Sequence, residues 1–327
     1  MKKLMLMVSS LAAAVFSTSA ANADVSVSGS YGLHMVSGGN TTGGNTTATE
    51  ADDATTTGTM FLQGGGVSFG LSATSAGGMS VSASAGITLD NNDNATATAA
   101  TGLSAVTFAA DGFSVTIGEI DIVGSGVGEV GTVAGDAVDE GGFSASAANV
   151  SGIANTEGYG FNASTTVSGA TVSLGYLMDY ANSGVNNVET ASGDYASGVS
   201  IAVPMGSATV SLGTATQSGT ADETTTGGSI SMPINGMTVK AGYESTDETT
   251  DSSTMSIQAS GSLDADTTWA IGYSDGEQGT SASTMTEAKL TRSLGGGVSV
   301  YAEMQNTSGS TAGSVGTNIA VGTTVSF

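Results

Sequence analysis

Apolar side chains recur at every second residue along most of this chain, and that period limits what it can fold into more than any other feature. The stretch Val315 to Phe327 shows it most cleanly. Val315, Thr317, Ile319, Val321, Thr323, Val325 and Phe327 share one face, and Gly316, Asn318, Ala320, Gly322, Thr324 and Ser326 share the other. A strand that ends on an aromatic of its apolar face has nothing with which to cover an open sheet edge, so the edge must be paired. The first strand of the chain is the natural partner, and joining first to last closes a barrel.

Read the same way, the chain holds roughly sixteen strands: 24–35, 59–75, 79–90, 102–110, 112–121, 158–167, 170–180, 194–203, 206–216, 226–233, 237–245, 254–262, 267–274, 284–293, 297–306 and 315–327. A further run near Phe143 to Val150 alternates poorly. The connections alternate long and short, and acidic residues are expected to crowd the long ones, among them Asp222 and Glu223, Asp247, Glu248 and Asp251, and Asp275 and Glu277. The short ones carry hairpin chemistry, as in Ala76-Gly77-Gly78, Ser168-Gly169, Pro233-Ile234-Asn235-Gly236 and Leu294-Gly295-Gly296. With an even strand count every long connection emerges on one side. This is an all-β pattern, a transmembrane antiparallel barrel with short periplasmic turns and long extracellular loops. The runs mostly fit the ~9–11 tilted residues that cross an apolar layer.

Residues 1–23 read as a secretory signal peptide: Met1-Lys2-Lys3, an apolar Leu4 to Phe16, and Ala21-Asn22-Ala23 before the cut. Residues 24–327 then form a single exported barrel domain, placed in periplasm, outer membrane or medium by export without a helical anchor. No later stretch reaches the ~18 uninterrupted apolar residues of a membrane helix. All 29 acidic residues follow the signal, and only three of the five basic ones do, which leaves a net charge of −26 and disfavours nucleic acid as a partner. Without cysteine, neither disulfides nor thiolate metal sites can staple the fold. Fifty glycines could signal disorder, but two prolines and a regular alternation argue against it.

Three places resemble the general porins of Gram-negative outer membranes, the trimeric sixteen-strand family, with the length of its alphaproteobacterial branch. They are Asp24-Val25-Ser26-Val27-Ser28-Gly29 directly after the signal, Phe113-Ser114-Val115-Thr116-Ile117-Gly118-Glu119, and the terminal Phe327, which is similar to the signal read by the outer-membrane assembly machinery. The resemblance implies a homotrimer in outer-membrane lipid that passes small hydrophilic solutes. It also implies that the connection after the fifth strand, 122–157, folds inward as a constriction carrying Glu129, Asp136, Asp139 and Glu140. The family often faces such acids with a cluster of arginines. Here the basic residues after the signal are only Lys240, Lys289 and Arg292.

Strand parity puts Lys240 and Glu244 on one lumenal wall and Glu287 and Lys289 on another, with Arg292 facing lipid near a turn. Glu119 shares a face with Phe113, Val115 and Ile117, so it lies beyond the apolar band, at a subunit contact or past a bulge. A polar lumen rich in carboxylates favours cations. Trp269 reads as an aromatic at the membrane boundary. Gly66-Val67-Ser68-Phe69-Gly70 matches a nucleophile elbow, and the sole histidine, His34, is its one available base. The motif sits inside a strand, however, and no enzyme is expected. No cofactor is expected either. Asp52-Asp53 and Asp247-Glu248 could offer oxygens to calcium, without any established loop spacing. The rival architecture is a secreted or surface β-solenoid, which calls for a fixed internal repeat that the sequence lacks.

Overall fold

In the computed structural model the described residues are 22–41, 56–75, 77–90, 105–123, 125–133, 157–179, 195–218, 222–309 and 316–327. Sixteen strands form one closed antiparallel barrel. They are β1 (Asn22–Thr41), β2 (Thr56–Thr74), β3 (Ser80–Asp90), β4 (Ala105–Ala110), β5 (Phe113–Asp121), β6 (Glu157–Val167), β7 (Ala170–Asp179) and β8 (Tyr195–Met205), then β9 (Ala208–Ser218), β10 (Glu223–Ile234), β11 (Met237–Asp247), β12 (Ser252–Ser262), β13 (Thr267–Gln278), β14 (Ser281–Gly295), β15 (Val298–Gly309) and β16 (Gly316–Ser326). Each strand pairs with its sequence neighbours, and β1 pairs with β16. A solenoid is thereby excluded. Residues 1–21 of the expected signal and the run near 143–150 lie outside the described residues.

Closure is a backbone requirement. In hydrocarbon every unpaired N–H or C=O costs several kcal/mol, roughly, so only a ladder without edges can span. The seam runs from Ser30 opposite Ser326 to Gly38 opposite Asn318. Past its lower end Phe327 still exchanges both hydrogen bonds with Gly29, at 2.9 and 3.0 Å. The phenyl ring crosses Gly29, where a Cβ would stand 2.5 Å from Cζ.

Turn chemistry sets the register on the short side. Ser168-Gly169 and Asn235-Gly236 both take two successive positive φ angles, 52° and 85° in the first and 49° and 84° in the second, which is the two-residue hairpin whose twist matches its strands. Alternation then sorts the faces. Met255 and Ile271 are about half exposed on the outside, while Ser256 and Ser274 on the inside are buried. Toward the long-loop side the outward face carries Tyr159, Tyr176, Tyr195, Tyr243 and Tyr273, with Tyr176 and Tyr195 stacked at 6.4 Å. Near the short turns Trp269 lies over Gly261. Glu119 faces outward opposite Tyr159, and β5 stays in register with β6 through that pair. It lies at the level of Tyr159, and no bulge of β5 turns it.

One expectation about the loops is corrected. Asp275 and Glu277 are not in a long loop but on the outer face of β13, paired with Thr284 and Ala282, and the connection is only Gly279-Thr280. Likewise Asp247 ends β11 and Glu223 begins β10. Above the tyrosines both faces of a strand meet water, so the polarity contrast fades while the ladder continues.

Candidate functional site

The segment after β5 turns into the barrel. Val127 N–H donates to the Ile122 carbonyl at 3.0 Å and Gly126 N–H to the Val123 carbonyl at 2.7 Å, which folds the chain back at the strand end. Ile122 is fully buried with Ile120, Leu177, Ala196 and Ala215 in a small apolar cluster on the inner wall. The sequence predicts a polar lumen, and this apolar patch departs from it. It gives the base of the loop an anchor that hydrophobic burial favours.

From there the loop backbone lies on the wall along a track of glycines. Gly175, Gly198, Gly213 and Gly242 occupy inward positions on β7, β8, β9 and β11, and between them Gly227 on β10 makes room for Glu244. A Cβ on Gly175 would stand 2.7 Å from Ile122 Cγ2, and one on Gly198 would stand 3.0 Å from the Val127 carbonyl. On Gly213 it would run into the Gly128 carbonyl, and on Gly242 into that of Gly131. Side chains there would hold the two backbones apart.

Polar attachments hold the loop in place. Ser200 Oγ donates to the Gly126 carbonyl at 3.1 Å. The buried Glu244 carboxyl on β11 accepts Gly131 N–H at 3.0 Å and the Thr132 hydroxyl at 3.4 Å. Ser256 on β12 accepts Val133 N–H at 2.8 Å. Described residues of the loop therefore span the inner wall from β7 to β12. Glu129 lies on this stretch, partly exposed. Asp136, Asp139 and Glu140 lie outside the described residues.

The other charged positions separate into two groups. Lys240 shares the inward face of β11 with Glu244 and is paired in register with Gln258. On β14, Glu287 is buried and packed over Gly272, and Lys289 forms an ion pair with Glu303 of β15 at 3.9 Å while its Nζ lies 5.6 Å from the centre of the Tyr301 ring. Arg292 is outside, 3.5 Å from Asp264 and donating to the Thr267 hydroxyl at 2.9 Å. The Asp264 carboxyl is held below its ordinary range first by the Asp266 backbone N–H, then by Thr267, with the Arg292 charge adding to both. Sequence reasoning missed Tyr301 and Glu303, although Val298, Val300, Ala302 and Met304 on the outer face fix their inward direction by parity. It also missed the glycine track, whose signal was a glycine at mid-strand on the inward face of successive strands.

The nucleophile-elbow match dissolves in the register. Ser68 is opposite Ser28, whereas His34 is opposite Leu62 and is hydrogen-bonded to the Tyr301 hydroxyl. Among the described residues no three His, Asp or Glu side chains are grouped to hold a metal ion. Asp52 and Asp53 are outside that set.

Solved structures of similar fold include bacterial porins. The anion-selective porin from Comamonas acidovorans aligns with a TM-score of 0.63 at 12% identity, covering 94% of this chain and 100% of that one. A triple mutant of Rhodopseudomonas blastica porin gives 0.65 at 16% identity, covering 93% and 100%. OmpT of Vibrio cholerae with loop L8 deleted, an outer membrane protein, gives 0.64 at 12% identity, covering 93% and 99%. No curated protein sequence matches significantly. The Gram-negative porin family model matches residues 10–312. The chain belongs to the Gram-negative porins, and its sixteen-strand barrel is an outer-membrane porin channel.

Proposed function

We propose that this porin passes small hydrophilic solutes and ions by passive diffusion and prefers cations. The observation that carries the reading is the loop segment 125–133, which bears Glu129 and lies on the inner wall, fastened through Glu244 and the glycine track. In this reading 122–157 is the constriction, with Glu129, Asp136, Asp139 and Glu140 near its narrowest point. Glu287 and Glu303 add acid to the far wall, and Glu303 offsets Lys289. Carboxylates around a low-dielectric pore raise local cation concentration and exclude anions. The fold itself does not decide the sign, since an anion-selective porin shares it. The charge inventory, 29 acidic against 5 basic residues, supports the cation side. Three further elements belong to the same proposal: cleavage after Ala23, assembly directed by Phe327, and a homotrimer. Reversal potentials across planar bilayers in a KCl gradient test the selectivity. The cation side is expected, and a reversal on the anion side would overturn the reading.

A further inference from the structure

Across the lumen from the loop lies the closing seam, because β1 is eight strands from β9 in the ring of sixteen. A row of side chains crosses that seam on the inside. Tyr301 of β15, 5% exposed, extends over its register partner Gly322 of β16, where a Cβ would stand 2.6 Å from the tyrosine hydroxyl. Gly322 is also the register partner of His34 on β1. The glycine thus clears the path by which the hydroxyl reaches His34 Nδ1, with ring centres 5.6 Å apart. The imidazole in turn lies over Gly32, where a Cβ would stand 2.5 Å from the ring. On the other side of Tyr301 is Lys289 with its partner Glu303.

We propose that His34 is a second determinant of ion selectivity, one set by protons, on the wall facing the loop. The inference rests on the cation-preferring reading above. When neutral, the imidazole can accept the tyrosine O–H at Nδ1. When protonated, both ring nitrogens are donors, the hydroxyl becomes the acceptor, and a positive charge stands across the pore from the loop acids. The charged groups that face it among the described residues are Lys289 and Glu287 of β14 and Glu303 of β15, with Tyr301 as the hydroxyl partner. β2 and β16 present no charged inward residue, and Asp24, the only charge on β1, lies about 33 Å down the strand by the rise per residue. His34 is the only histidine in the chain, an unperturbed imidazole changes charge within the interval from about pH 7.5 to 5.5, and comparison with the neutral variants assigns the response to this group.

The test is the reversal potential of the full-length channel in a KCl gradient near 0.1 M, at about pH 7.5 and about pH 5.5, for wild type and His34→Gln. On acidification the wild-type cation-to-anion permeability ratio is expected to fall about twofold, the effect of one charge across roughly 10 Å of screened water. His34→Gln is expected to stay level. Tyr301→Phe, which leaves the imidazole in place, is expected to keep the response. Heat-modifiable gel mobility verifies folding, and His34→Asn serves if His34→Gln fails to fold. An equal fall in wild type and the neutral variants, a flat wild type, or loss of the response in Tyr301→Phe would overturn the proposal. An anion-preferring wild type at about pH 7.5 would refute the selectivity reading instead, and the difference between wild type and variant would still report on His34.

Discussion

Replacing Glu244 by Ala removes the carboxyl that receives Gly131 N–H at 3.0 Å and the Thr132 hydroxyl at 3.4 Å. The first bond is the stronger, because the second is long for an O–H donor. It is also fully enclosed, and Glu244 itself is 1% exposed. A hydrogen bond to a charged partner contributes about 1.5–3 kcal/mol, and leaving the buried N–H without an acceptor forfeits all of it. The ratio of attached to detached loop should fall about 10- to 150-fold. The contacts through Ser200 and Ser256 and the apolar cluster at Ile122 remain, so the loop should exchange between positions rather than leave the barrel. Single-channel recordings at neutral pH should show a steady level for wild type, and added noise with a second conductance level for Glu244→Ala. Glu244→Gln keeps one acceptor oxygen and should lie between them. Traces for Glu244→Ala that match wild type in level and noise would refute the role given to Glu244.

Two other variants probe separate parts of the account. Gly242→Val places a side chain against the Gly131 carbonyl. Overpacking of this kind costs about 1–3 kcal/mol, and the expected result is a changed single-channel conductance with the barrel's heat-modifiable mobility retained; unchanged conductance would mean that the loop does not lie on the track. At the turn, the lowered Asp264 pKa contributes stability that is complete above the ordinary value of 3.8 and is lost as pH falls through the lower folded value. Asp264→Asn should therefore lessen the acid-induced drop in the temperature of the gel-mobility transition, and identical acid profiles would contradict the assignment.

The barrel was largely legible in the sequence because lipid outside and water inside impose opposite preferences on alternate residues, and short turns such as Asn235-Gly236 mark where each pair of strands reverses. Strand ends were less legible. Asp275 and Glu277 look like loop residues because outward side chains above the tyrosines are solvated, although the ladder continues beneath them. Parity puts Lys240 and Glu244 on one face of β11, and Glu287 and Lys289 on one face of β14. What parity could not supply was contact between distant segments. That Glu244 meets Gly131, 113 residues away in sequence, or that the inward Leu177 covers Ile122, depends on the path of the loop. Glycines on the inward face read as small lumenal residues until another backbone is known to lie on them.

The reversal potential in a KCl gradient, compared between wild type and the variant Glu129→Gln, Asp136→Asn, Asp139→Asn, Glu140→Gln, tests the central claim most directly. Wild type is expected on the cation side, and the neutralised channel is expected to shift toward zero. A wild-type channel on the anion side, or a variant whose potential does not move, would contradict it.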